Sequence, residues 1–369
     1  MNRSQLAILT VAGIIAIPAF PQAKNAILFI GDGAGVSSLN AASIYAYGKP
    51  QALYIHSMPH VALADTSTTR EWVADGPGAS TAWATGVKTH NGVVSQDDTA
   101  ERFVHDGKNL KTILEYAEER GLSTGLISNL RVAGIVDPVI SASYAHLSGP
   151  PRRLSGEIFL QHLNMKYGDV PDVVIGTARQ IITEQLKEKG QDMAAEIRKH
   201  GYTYVDSLSA VSKLNAEKTR VIALMDNHDF DLKEAFHQAV SRLSRNPKGF
   251  VLIVLGDCHS GAWTPEQTLQ EIVTYDNAIR SITEERKNDT LAIFAGNFSF
   301  DLHVAGENLT ETLKSSDHKK IVNAIYLDHQ HTAEEVPVMA VGPGSERLKG
   351  YIPNTEIFHV MMAGLGLQP

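Results

Sequence analysis

The stretch Gly249-Phe-Val-Leu-Ile-Val-Leu255 is almost wholly apolar. A strand without polar alternation is covered on both faces, as in a parallel sheet flanked by helices. Short apolar runs recur at Ala26–Ile30, Thr124–Ser128, Val173–Gly176, Val221–Met225, Leu291–Ala295 and Val336–Val341. Helical patterns lie among them at Leu110–Glu118, Leu232–Leu243 and Leu269–Ile282. The alternation predicts an α/β fold, a doubly wound, mainly parallel central sheet with helices on both faces. Sites in such sheets gather beyond the carboxyl ends of the strands. No repeat, low-complexity tract or linker divides the chain. Residues 24–369 are therefore expected to form one domain, with a possible lid or insertion near 149–165.

The chain has 369 residues, of which 43% are hydrophobic and 20% charged. This composition is globular and excludes a mainly disordered or fibrous chain. With 33 Lys+Arg against 41 Asp+Glu, the net charge is −8, which argues against a general nucleic-acid partner. The single cysteine, Cys258, rules out an intrachain disulfide framework. Arg3 precedes the apolar run Leu6–Phe20, and Pro21-Gln22-Ala23 follows. Residues 1–23 read as a signal peptide, because the apolar core is short for a bilayer span; an uncleaved anchor is the alternative. The mature chain would begin near Lys24 and be periplasmic or secreted, with no stable membrane span.

Four segments carry a resemblance. They are Asn25-Ala-Ile-Leu-Phe-Ile-Gly-Asp-Gly-Ala-Gly35; Asp75-Gly-Pro-Gly-Ala-Ser-Thr-Ala-Trp-Ala-Thr-Gly-Val-Lys-Thr89 with Asn91-Gly92; Asn246-Pro-Lys-Gly-Phe250; and His331-Thr332 with Val336-Pro337-Val338 and Gly342-Pro343-Gly344-Ser345. In this order they resemble alkaline phosphatases, from Lys24 to the C-terminus. The resemblance implies phosphomonoester hydrolysis by a serine at a helix N-terminus, with two zinc ions and a magnesium.

Position by position, the resemblance agrees with the fold and departs from the chemistry. Asp32 matches the aspartate shared between zinc and magnesium. The nucleophile position is Gly76, which has no side chain to attack phosphorus. Ser80 lies one helical turn on, about 5–6 Å away, and is expected to pack or cap locally. Pro77 suits a first helical turn capped by Asp75 or Gly76. At the magnesium site Asp137 matches an aspartate, but the family's threonine is Val139 and its glutamate is Leu255. At the zinc beside the nucleophile, the family's aspartate and histidine are Asn297 and Phe298.

The leaving-group zinc would be held by Asp257, His259 and His331. Here His259 follows Asp257 by two residues, whereas the family spaces its aspartate and histidine by four. Asp257, Cys258, His259, His329 and His331 are either a rewired zinc site or polar loop residues around one buried thiol. The phosphate-binding arginine position is Pro150. Arg152 or Arg153 could reach the site, or be a solvated basic pair.

The expectation is an exported homologue with absent or very weak activity, and with zinc and magnesium reduced to one site or none. An active phosphomonoesterase with a site rearranged around Asp32, Asp75, Asp257, His259 and His331 is the first alternative. A non-catalytic module binding phosphate, metal or a partner is the second. Phosphate or a phosphomonoester is the expected ligand, and the resemblance adds a possible homodimer.

Overall fold

A computed structural model describes residues 22–368 except 132, 150–158, 160–170, 216, 218–219, 260–263, 306–316 and the side chain of His329. Residues 1–21 of the expected signal peptide (1–23) and nearly all of the expected lid near 149–165 lie outside the described residues. So do Arg152 and Arg153.

The strands are β1 (Asn25–Asp32), β2 (His60–Asp65), β3 (Ser123–Ser128), β4 (Val173–Gly176), β5 (Thr203–Val205), β6 (Val221–Leu224), β7 (Phe250–Asp257), β8 (Thr290–Gly296), β9 (Ser299–Val304), β10 (Ile325–Thr332), β11 (Val336–Val341) and β12 (Gly350–Pro353). Around them lie helices α1 (Val36–Tyr47), α2 (Gly76–Thr85), α3 (Ile113–Glu119), α4 (Pro138–Ser141), α5 (Arg179–Glu188), α6 (Met193–Lys199), α7 (Leu208–Lys213), α8 (Leu232–Leu243), α9 (Pro265–Arg286) and α10 (Thr355–Gly364).

Ten strands form one sheet in the order β12-β2-β11-β8-β1-β7-β3-β4-β6-β5. All of its pairings are parallel except those of β11, which runs antiparallel to both β8 and β2. The doubly wound, mainly parallel sheet read from the sequence is therefore the observed one. β9 and β10 pair separately as a two-stranded antiparallel sheet.

β1 shows why its sequence cannot sit at an edge. Ala26, Leu28 and Ile30 enter the core on one face, with residues of α2, α3, α5 and α10. Ile27 and Phe29 enter the core on the other, with residues of α1, α8 and α9. Both faces are covered, so polar alternation is absent.

Several elements differ from their sequence reading. The helix expected from Leu110 starts at Ile113, because Thr112 is its N-cap and forms a reciprocal capping box with Glu115. The apolar strand runs beyond Leu255 to Asp257, so Asp257 is a strand residue in register with Asp32 and not a loop residue. The pattern at Leu269–Ile282 is the middle of the 22-residue α9. β9 alternates apolar with polar residues and β10 is apolar only over its first three residues, so both escaped a search for apolar runs.

α9 is pinned to the sheet through Tyr275, whose ring lies against the strand end at Gly256. A Cβ on Gly256 would come within 2.4 Å of that ring, so only glycine allows the approach. The Tyr275 hydroxyl sits 3.2 Å from the carbonyl oxygens of both Ile30 and Val254, bridging β1 and β7. Tyr275→Phe should therefore destabilise the fold by about 1 kcal/mol. Urea unfolding should show a lower midpoint with an unchanged slope.

Candidate active site

The carboxyl ends of β1, β7 and β8 lie side by side. They deliver Asp32, Asp257 and, just beyond β8, Asn297 to one place. α2 points its N-terminus at the same place. Asp75 caps it, its Oδ1 accepting from the Gly78 N–H at 2.8 Å, with Pro77 in the first turn. Of the two caps the sequence allowed, the structure uses Asp75.

Gly76 opens this helix and is buried. A Cβ built on it would lie 2.6 Å from Cγ2 of Val139, so the space for a side chain is already occupied. Val139 belongs to α4 and is itself buried. The next atoms, Asn297 Nδ2 and Phe298 Cε1, would be 3.8 and 3.9 Å away. Position 76 thus lacks both a hydroxyl and the room for one.

Asn297 has become part of the helix's support. Its Oδ1 accepts from Ser80 Oγ and from Trp83 Nε1, each at 3.1 Å. Its Nδ2 donates to the Gly76 carbonyl at 3.2 Å. Both lone pairs of the amide oxygen are engaged, and the donor faces the helix start. Ser80, expected to pack or cap locally, is fully buried in this network.

The acidic residues converge. Asp32 is 4% exposed and Asp257 1% exposed. Asp137 caps α4 by accepting from the Val139 N–H at 2.9 Å. Desolvation, followed by the charge of Asp32, pushes its carboxyl up to about 7. His259 Nδ1 is 3.4 Å from Asp32 Oδ2. Burial is the largest influence on His259 and opposes its charge, but Asp32 and Asp257 outweigh it, so its pKa lies above the ordinary value. The Cys258 thiol is buried, and burial first, then Asp257, Asp32 and Glu271, raise its pKa well above normal.

His331 arrives from β10, outside the central sheet. Its Nδ1 is 2.9 Å from the Ala74 carbonyl, which can only accept, so Nδ1 carries a proton. Phe298 stacks on the His331 ring at 3.7 Å between centroids and meets His259 edge-on at 5.1 Å. The two histidine rings are 5.7 Å apart. The structure thus gathers Asp32, Asp137, Asp257, His259 and His331 into one region.

The fit to metals is uneven. Beside position 76, the only oxygen of Asn297 is committed to two donors and Phe298 is an apolar ring, so this set does not fit a zinc. At the magnesium position, Val139 and Leu255 offer no donor atom, and both are buried core residues. Asp32 Oδ1 is buried with no hydrogen-bond partner among the described residues, an atom open to a cation. Yet among the described residues no three His, Cys, Asp or Glu side chains are grouped so as to hold a metal ion.

Sequence reading missed two charged neighbours. Glu271 of α9 pairs with Arg131 at 3.1 Å, and burial followed by the charge of Asp257 pushes its carboxyl up to about 7. Neither residue sits in a motif; α9 brings Glu271 in from a helix interior, which leaves no local signal.

Two outcomes follow from these contacts. Gly76→Ser should destabilise the fold by about 1–3 kcal/mol through overpacking against Val139. Pairing it with Val139→Ala should recover most of that loss in a double-mutant cycle read by thermal unfolding. Asn297→Asp should lose about 1–3 kcal/mol, since an oxygen would then face the Gly76 carbonyl.

The carboxyls of Asp137 and Glu271 have folded pKa values near 7, above their unfolded values near 4. The unfolded chain ionises them first, so metal-free stability should fall as pH rises from about 4 to about 7. His259, whose folded pKa is also raised, loses its contribution as pH rises through that value. Asp137→Asn should flatten the slope of melting temperature against pH across this window.

The alkaline phosphatase family profile matches residues 23–326. Alkaline phosphatase of Escherichia coli K12 is 27% identical over an alignment covering 94% of this chain and 87% of that protein. Alkaline phosphatase H of Pseudomonas aeruginosa is 26% identical, covering 94% of this chain and 86% of its own length. The structure of Thermus thermophilus alkaline phosphatase superposes with a TM-score of 0.76 at 20% identity, covering 98% of this chain and 96% of that one. The enzyme from the Antarctic bacterium TAB5 gives 0.75 at 23% identity, over 95% and 100%. The matched profile spans β1, β7, β8 and the start of α2, and the chain belongs to the alkaline phosphatase family.

Proposed function

We propose that this chain is an exported alkaline phosphatase homologue whose phosphomonoester hydrolysis is absent or very weak. The observation that carries the reading is the occupied space at Gly76, filled by Val139 and braced by Asn297. Transfer of a phosphoryl group to the enzyme needs an oxygen nucleophile there, and a zinc beside it would supply the activation. Direct attack by water would still need a cation at that position, where Asn297 and Phe298 do not fit one. Loss of a single stabilising donor already costs about 3–4 kcal/mol of transition-state stabilisation. The apolar Leu6–Phe20 run after Arg3 supports export.

A second reading, a phosphomonoesterase with a rearranged site, draws on the open oxygen of Asp32 and its neighbours Asp257, His259 and His331. By resemblance to the family these residues correspond to the leaving-group side, where a bound cation would neutralise developing charge. A non-catalytic module that binds phosphate is the third.

Purified protein supplied with zinc and magnesium should show no turnover of a chromogenic phosphomonoester at alkaline pH. Metal analysis should find at most one bound ion per chain. Turnover that a chelator and His331→Ala both abolish would overturn the proposal in favour of the rearranged site. Stabilisation by phosphate without turnover would support the binding module. Combining Gly76→Ser, Val139→Ala, Leu255→Glu, Asn297→Asp and Phe298→His should restore partial activity at most, because the spacing of Asp257 and His259 stays altered.

A further inference from the structure

We propose that His146 and Glu115 form a buried imidazolium–carboxylate latch, which fastens the chain that follows α4 and loosens when a rise in pH takes a proton from the imidazole. His146 Nδ1 lies 2.9 Å from the Ser95 carbonyl oxygen, and its Nε2 lies 3.3 Å from Glu115 Oε1. A carbonyl and an ionised carboxylate can only accept, so both ring nitrogens must donate and the ring carries two protons. The two side chains are 6% and 19% exposed, so the pair is largely shielded from solvent.

Local structure prepares the carboxylate. Glu115 is the third residue of α3, and its other oxygen accepts from the Thr112 N–H at 2.7 Å within the capping box. Burial is the largest influence on this carboxyl and opposes its charge. The hydrogen bond and charge of His146, joined by the bonds to Thr112, outweigh burial and hold it below the ordinary value. Charged side chains close by are engaged elsewhere. Lys111 pairs with Glu119, and Asp106 accepts from the N–H groups of Ser148 and Gly149 at 2.9 and 2.8 Å. The Tyr144 hydroxyl donates to the Ile135 carbonyl at 2.7 Å. Glu115 is the carboxylate bonded to the ring itself.

What the latch fastens is the backing of the site. Residues 142–147 continue from α4, the Ala145 N–H donating to the Ser141 carbonyl at 2.7 Å and the Leu147 N–H to the Val94 carbonyl at 3.0 Å. α4 carries Val139, which fills the space at Gly76. Ser95 has φ +48°, a left-handed conformation that a residue with a side chain rarely adopts. Three of its groups hold it there. Its N–H donates to Thr81 of α2 at 2.9 Å, its hydroxyl donates to the Ala142 carbonyl, and its carbonyl takes the His146 ring and the Leu110 N–H. Loss of the second ring proton would leave the Nε2 lone pair facing a carboxylate, so attraction becomes repulsion. The latch holds while the ring keeps both protons and is lost as pH rises through its titration. At the acid end it weakens as Glu115 takes up a proton. This inference does not depend on whether hydrolysis survives.

The test uses the full chain with nitrogen-15 in its histidine rings, followed by NMR from neutral to about pH 10. One ring, assigned by its loss in His146→Gln, is expected to carry protons on both nitrogens at neutral pH and to give one up as pH rises. Over the same range the hydrogen-exchange protection factors of residues 144–147, which are corrected for the intrinsic rate, should fall by up to about ten-fold per pH unit. The core strand β7 should keep its protection. In Glu115→Gln the amide can accept from the charged ring or donate to the neutral one, so the fall should shrink to under about two-fold. A single ring proton at neutral pH, a ring that keeps both protons to about pH 10, or an unchanged fall in Glu115→Gln would each overturn the proposal. Should both variants fail to fold, the parent decides alone, since protection of residues 144–147 that is indifferent to pH overturns it.

Discussion

A single buried amide ties the end of the central sheet to the helix that begins at Gly76. Asn297 accepts from Ser80 and Trp83 and donates to the Gly76 carbonyl, so its side chain has no lone pair left for a cation. A carboxylate at this place would bind metal and repel the carbonyl; an amide binds the carbonyl and ignores the metal. The other changes around the helix start are consistent with that choice. With no side chain at 76, Val139 can fill the space, and with no cation to hold, Phe298 can stack on His331. These contacts share atoms and surfaces, so the energies of single reversions should not add.

The acidic remainder poses a separate electrostatic problem. Asp32, Asp137 and Asp257 meet at the strand ends, where His259 Nδ1 lies 3.4 Å from Asp32 Oδ2. Burial first, and then the charge of Asp32, raise the carboxyl of Asp137 and favour its protonated form. Arg131 pairs with Glu271 on the α9 side.

Charge is also divided along the strands. Their carboxyl ends carry the buried carboxylates, and their amino ends carry Lys24, Arg120 and Lys248 around a cleft. The sheet that links the two ends is covered on both faces.

The sequence by itself determined the architecture. Apolar runs such as Gly249–Leu255, short and without alternation, read as strands covered on both sides, and their alternation with helical periods leaves few topologies. It also placed glycine, valine, leucine and phenylalanine, whose side chains offer no ligand or nucleophile, at Gly76, Val139, Leu255 and Phe298. Only the tertiary structure decided what those residues do instead. That Val139 occupies the space at Gly76, that Asn297 braces α2, that His331 comes from a separate two-stranded sheet and that Glu271 faces Asp257 are contacts between residues far apart in the chain. The physical reason is that composition and period encode which surfaces must be buried, while the identity of the partner across each buried surface is set by how the elements pack.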